Sequence, residues 1–322
     1  GTVNFAGGTL STSGSNLSIT AADIGISTGL NAGTGDVTII RSGGGTIGLG
    51  ATAGNMTISG AELQNFTAAN LTIGDDTVGN ITVNGITAGN SNNIGNVNLT
   101  ARKSTSSISF STAGSTFNAL TAIAGTDVNV NFPVITDTGG LELRAGNDVL
   151  LAAAGDLTSA GNVLIVADND GNLSGTGGAV TMTDGAVIDA GANTITMAAD
   201  ENLTLGQLLT TNATASAVTL HSYSGGIVDG GDTDQDITAA SGGLILNVSD
   251  GSGTAAKGIE ASLNIGFGEV VNTVSASISG GVYSGASTLM TMGLTSNDGI
   301  TINSDLTFSD ATFINADANS DG

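Results

Sequence analysis

Asn70-Leu71-Thr72-Ile73 and, 10 residues on, Asn80-Ile81-Thr82-Val83 are two copies of one phrase. Each opens on Asn, and apolar residues then alternate with Thr. A period of two puts Leu71 and Ile73 on one side of a strand and Thr72 on the other. Working outward, the phrase recurs at Asn16-Leu17-Ser18-Ile19, Asp36-Val37-Thr38-Ile39, Asn55-Met56-Thr57-Ile58 and Asn96-Val97-Asn98-Leu99. It continues at Asp127-Val128-Asn129-Val130, Asp148-Val149-Leu150-Leu151, Asn162-Val163-Leu164-Ile165 and Asn202-Leu203-Thr204-Leu205.

The favoured step between copies is near 20 residues, as from Leu17 to Val37. A unit of that length cannot bury its apolar side alone and does so by stacking on copies of itself. Stacked, the apolar residues form a continuous interior and the Thr, Ser and Asn residues an outer wall. Backbone groups then pair with the coils above and below. Gly and Asn between strands supply the corners. The expected fold is all-β, a parallel β-helix with coils of about 20 residues, running as one domain over residues 1–322 with 1–100 the most regular part. Leu17, Val37, Met56, Leu71, Ile81, Val97, Val128 and Val163 are expected to point inward. The competing reading is an antiparallel sandwich or barrel. The long, uneven connections weigh against its hairpins.

Composition agrees with a small-residue β fold. Gly reaches 51 of 322 residues, while aromatic residues make up 3%. Charged residues are 10%, against about 25% in an ordinary globular domain. Glu, Lys, Arg and Gln are so scarce that long helices are not expected. Hydrophobic content of 39% is too high for a disordered chain. The net charge of −23 disfavours nucleic acid and anionic membrane surfaces as partners. It suits a self-repelling surface exposed to the medium, and it suits cations. With 0 Cys there is no disulfide and no thiolate metal site. No apolar run reaches the roughly 20 residues that span a bilayer.

Several coils resemble those of filamentous-haemagglutinin-type proteins, the large repetitive adhesins of bacterial surfaces and secretions. The resemblance lies in Gly33-Thr34-Gly35-Asp36-Val37-Thr38-Ile39, Gly43-Gly44-Gly45-Thr46-Ile47-Gly48-Leu49, and Thr295-Ser296-Asn297-Asp298-Gly299-Ile300-Thr301-Ile302. It runs over nearly the whole chain. It implies a right-handed β-helix displayed outside a bacterial cell, either as a structural fibre or as an adhesin binding a surface glycan or protein.

Some parallel β-helices degrade polysaccharides, and that chemistry makes definite demands on the residues. Glycoside hydrolysis needs two positioned carboxylates, and lyases a base with a cation cluster. Arg41, Arg102, Lys103, Arg144 and Lys257 are scattered. His221 is the sole histidine, and without triad partners it reads as an outward-facing strand residue. No Trp and only Tyr223 and Tyr283 are present to carry a sugar platform. The expectation is a non-enzyme with no required cofactor.

Calcium is the one candidate metal ion. Asp317-Ala318-Asn319-Ser320-Asp321-Gly322 matches the first half of a calcium loop, so Asp317, Asn319 and Asp321 are candidate ligands. Asp168-Asn169-Asp170-Gly171 is a shorter relative that offers Asp168 and Asp170. Asp232, Asp234 and Asp236 share one side if their segment is extended. The ends, Gly1-Thr2-Val3 and Asp321-Gly322, are mutually compatible as a turn-to-strand passage. The expected partners are therefore adjoining coils of the same polypeptide or copies of the chain, end to end.

Overall fold

In the computed structural model the chain is all-β with about 4% helix, a parallel β-solenoid of about 9 turns of roughly 23 residues. The structure describes residues 1–168, 177–214, 216–230 and 236–239, followed by the strands Leu244–Val248, Ala261–Leu263, Phe267–Val271, Ala276–Ile278, Thr291–Thr295, Ile300–Ile302 and Phe313–Asn315. Contacts divide the chain into two compact units, Gly1–Asn147 with Leu157–Ser159, and Asp148–Asp156 with Ala160–Gly322.

The first unit has three parallel walls. One stacks Leu17–Ala21, Val37–Arg41, Phe66–Asp75, Ile94–Ala101, Leu120–Ala124 and Leu141–Ala145. A second runs through Gly45–Gly50, Val78–Asn84, Ile108–Phe110 and Val128–Val130, with Met56–Ile58 on its outer edge. The third is Ser115–Phe117, Val134–Thr136 and Leu157–Ser159. Apart from a register shift between Val78 and Ile81, pairing is in register, so like stacks on like. Val37, Leu71, Val97, Leu120 and Leu141 form one inward ladder, and Thr38, Thr72, Asn98 and Thr121 the outward one beside it.

The second unit repeats the plan. Val163–Val166, Ile195–Ala199, Val218–Ser222 and Leu244–Val248 make one wall. Val149–Leu151, Val180–Met182, Leu203–Leu205 and Ile227–Asp229 make another. Val187–Asp189, Gln207–Thr210 and Ile237–Ala239 belong to the third.

Of the eight expected core residues, Val37, Met56, Leu71, Ile81, Val97, Val128 and Val163 are buried. Leu17 is only half-buried, and its strand pairs with Val37–Arg41 alone. Residues 1–100 are not the most regular part. Asp36 lies one coil from Asn16 at a separation of 20, but one coil from Asn70 at 34. The longer step carries an extra strand, Met56–Ile58, and a one-turn helix, Gly60–Leu63. The Ser59 hydroxyl caps that helix by accepting from the Glu62 N–H, and the Glu62 carboxylate accepts in return from the Ser59 N–H.

The Asn or Asp that opens several of these phrases has a definite task. Its side-chain oxygen accepts from the next coil at the corner where the strand begins. Asn80 Oδ1 takes the Ser107 N–H at 3.0 Å, Asn202 Oδ1 the Gly226 N–H at 2.8 Å, and Asn162 Oδ1 the Thr194 N–H at 3.2 Å. Asp127 Oδ1 accepts instead from the Asn147 side-chain Nδ2 at 2.8 Å. Without such acceptors the corner N–H groups, which lie off the ladder, would go unpaired. Gly74 shows how closely coils approach. Its φ is +97°, and a Cβ there would stand 2.1 Å from the Thr100 carbonyl oxygen, so no other residue fits.

Candidate functional site

The described cations do not converge. Arg102 meets Asp76 at 3.6 Å on the surface, Arg144 binds Glu142, and Arg41 Nη1 donates to the Ser42 carbonyl at 3.2 Å. Lys257 lies outside the described residues. A groove of 540 Å³ opens beside Asn4, Ile26, Glu62 and Asn65. Two of its polar side chains are already engaged. Glu62 Oε1 accepts from the Ile26 N–H, and Asn65 Nδ2 donates to the Ile26 carbonyl.

His221 stands on the outer side of Val218–Ser222, as expected, and its ring stacks on Tyr223 with centroids 3.8 Å apart. Partial burial lowers its pKa, because the imidazolium loses hydration. Among the described residues, large apolar side chains are exposed elsewhere only at Phe132, Ile135 and Leu150.

Carboxylates gather at one corner of the second unit. Val163–Val166 and Ile195–Ala199 run in register, and the Ala167 N–H donates to the Ala198 carbonyl at 2.9 Å. Asp168 and Asp200 therefore occupy the same corner position on successive coils. Asp168 has φ +60°, a left-handed conformation that Asp tolerates better than most residues. Asp200 is 3% exposed, and its Oδ1 has no hydrogen-bond partner among the described residues. Both side chains close on Gly178, where a Cβ would lie 2.7 Å from Asp168 Cβ and 3.1 Å from Asp200 Cβ.

Two more carboxylates hold the backbone here. Glu201 Oε1 accepts from the Gly177 N–H at 2.9 Å, and Asp148 Oδ1 accepts from Gly178 and Ala179 at 3.0 and 2.9 Å. The Asp200 carbonyl accepts from the Ser224 N–H and hydroxyl. Among the described residues no three His, Asp or Glu side chains form a metal-binding group.

Of the expected calcium ligands, Asp168 lies at this corner. Asp236 is buried at the start of Ile237–Ala239, where its carbonyl accepts from the Leu208 N–H at 2.7 Å. Asp170, Asp232, Asp234, Asp317, Asn319 and Asp321 lie outside the described residues. The sequence reading missed Asp200, because it looked for carboxylates two residues apart. The signal was a phrase repeated at coil distance: both Val163–Asp168 and Ile195–Asp200 end an alternating strand in Ala-Asp.

Comparison with protein-family models, curated proteins and solved structures returns no match. Among the described residues no helix is long and apolar enough to cross a membrane.

Proposed function

We propose that the chain is a section of an extracellular structural fibre or stalk, built by coil stacking and continued end to end by further coils or by copies of itself. The observation that carries this reading is the in-register ladder of like residues. Each coil offers the next a row of backbone donors and acceptors and a matching row of aliphatic side chains, which is the template an added coil needs. Outward positions such as Thr38, Thr72 and Thr121 are small and polar and suit a spacer. On this reading the chain performs no catalysis and requires no cofactor. It neither binds nucleic acid nor inserts into a membrane. The resemblance to filamentous-haemagglutinin-type coils supports a place on a bacterial surface or in the medium, where a net charge of −23 keeps a long β protein dispersed.

A second reading, an adhesin with a lateral binding face, draws on the His221–Tyr223 stack on the outer wall. An amphipathic ring with an apolar face and a polar tip is a fitting anchor for a glycan or protein. Negative-stain electron microscopy with sedimentation velocity across a concentration series separates the two. Particles that lengthen with concentration support the fibre. Particles of fixed length at every concentration, retained on a glycan surface only when Tyr223 is intact, favour the adhesin.

A further inference from the structure

The Asp168–Asp200 corner combines three features that are costly together. Successive coils stand about 4.8 Å apart, so in-register carboxylates face each other as like charges, an arrangement that destabilises a sheet. Asp200 is 3% exposed, so water does not offset that repulsion. Its Oδ1 also lacks a hydrogen-bond donor among the described residues. The usual remedy is a neighbouring Lys or Arg, but the described residues of this unit contain neither. Their one basic side chain, His221, is held toward its neutral form.

The geometry points to a divalent cation of the calcium type held between the Asp168 and Asp200 carboxylates beside Gly178. Two carboxylates match the charge of such an ion. Oxygen is the donor a hard cation selects, and water and main-chain carbonyls complete its shell. Asp148 and Glu201, bound to the Gly177–Ala179 backbone, brace the corner and add negative potential without serving as ligands. Gly178 is then required for space, since a Cβ there would press on both aspartates. With only two charged ligands the site belongs at the weak end of calcium affinities, about 10⁻⁴–10⁻³ M. This inference is independent of the fibre reading.

Thermal melts of the full chain in chelator and in millimolar calcium test it. Calcium is expected to raise the Tm of the wild type by several degrees. Asp200→Asn should lose that response and, in chelator, melt at or above the wild type, because an uncompensated buried charge has gone. Asp168→Asn, at the more exposed partner, should weaken the response and serves if Asp200→Asn does not fold. Terbium gives a second readout. Tyr223 lies beside Ala199 and Asp200 and should sensitise its emission, which Asp200→Asn or Tyr223→Phe should quench. Identical wild-type melts in chelator and calcium would overturn the site. So would a calcium response of equal size in Asp200→Asn and in Asp168→Asn.

Discussion

At the level of single residues, the alternation in each phrase assigns opposite consequences to neighbours. Leu71 is fully buried in a ladder between Val37 and Val97, whereas Thr72 lies on the outer wall. Leu71→Ala should cost about 2–5 kcal/mol in a denaturant titration, and Leu71→Asp should unfold the adjoining coils by burying an unpaired charge. Thr72→Ala should stay within about 0.5 kcal/mol. Equal losses at both positions would mean that the strand register is wrong. His221 gives a pH signature. Its folded pKa lies below the ordinary histidine value of about 6.5 because burial penalises the cation. The unfolded chain therefore binds the proton more readily, and stability rises with pH across the interval between the two values. The contribution is complete above about pH 6.5 and is lost as pH falls toward the folded pKa. In a Tm–pH series, His221→Gln should flatten that acid limb and leave the plateau in place. A wild-type and variant pair with identical slopes would remove His221 as its source.

At the level of elements, the strands were legible because two rules pointed the same way. Alternation marked the inward face, and the step near 20 residues marked the stacking. The Asn or Asp before many of the strands was visible as a pattern, but its purpose was not, since at corners such as Asn80 and Asn202 its hydrogen bond crosses to the next coil. Asn80→Ala and Asn202→Ala should each cost about 1 kcal/mol, by leaving the Ser107 or Gly226 N–H without its acceptor. Aspartate at the same sites should largely preserve stability, since the chain itself uses Asp148 in this role. If Ala and Asp variants melted alike, the side-chain oxygen would not be the stabilising group. The same bonds occupy the asparagines of several Asn-x-Thr sequons, such as Asn80-Ile81-Thr82 and Asn202-Leu203-Thr204. The one-turn helix at Gly60–Leu63 was readable in Ser59-Gly60-Ala61-Glu62, a capping box spelled out in the sequence. It was passed over because a search for repeats ignores insertions. The acidic corner was hidden for a related reason. Asp168 and Asp200 meet only through coil register, while local spacing draws attention to Asp168-Asn169-Asp170.

At the level of the whole molecule, the decisive quantities are the row of backbone groups at a coil edge and the net charge of −23. They oppose each other when copies meet. Backbone pairing and burial of aliphatic ladders favour stacking and depend little on salt. Charge repulsion disfavours it and depends on salt strongly, because the screening length falls from about 30 Å at 0.01 M to about 8 Å at 0.15 M ionic strength. Few cations are available to form ion pairs across a junction, since Lys and Arg together number 5. Stacking of copies should therefore strengthen as sodium chloride is added. In sedimentation velocity, the weight-average coefficient at fixed protein concentration should rise between low and physiological salt, and electron micrographs of the same samples should show longer particles. The opposite trend would mean that association, where present, runs through ionic contacts on a lateral face, and would count against coil-on-coil continuation. Calcium offers a sharper comparison. If it acts only by general screening, the wild type and Asp200→Asn should associate alike at matched ionic strength. If the corner ion also stabilises the coils, the wild type alone should gain Tm, while both proteins lengthen to the same degree. That outcome would separate the stability of the coil from the growth of the fibre.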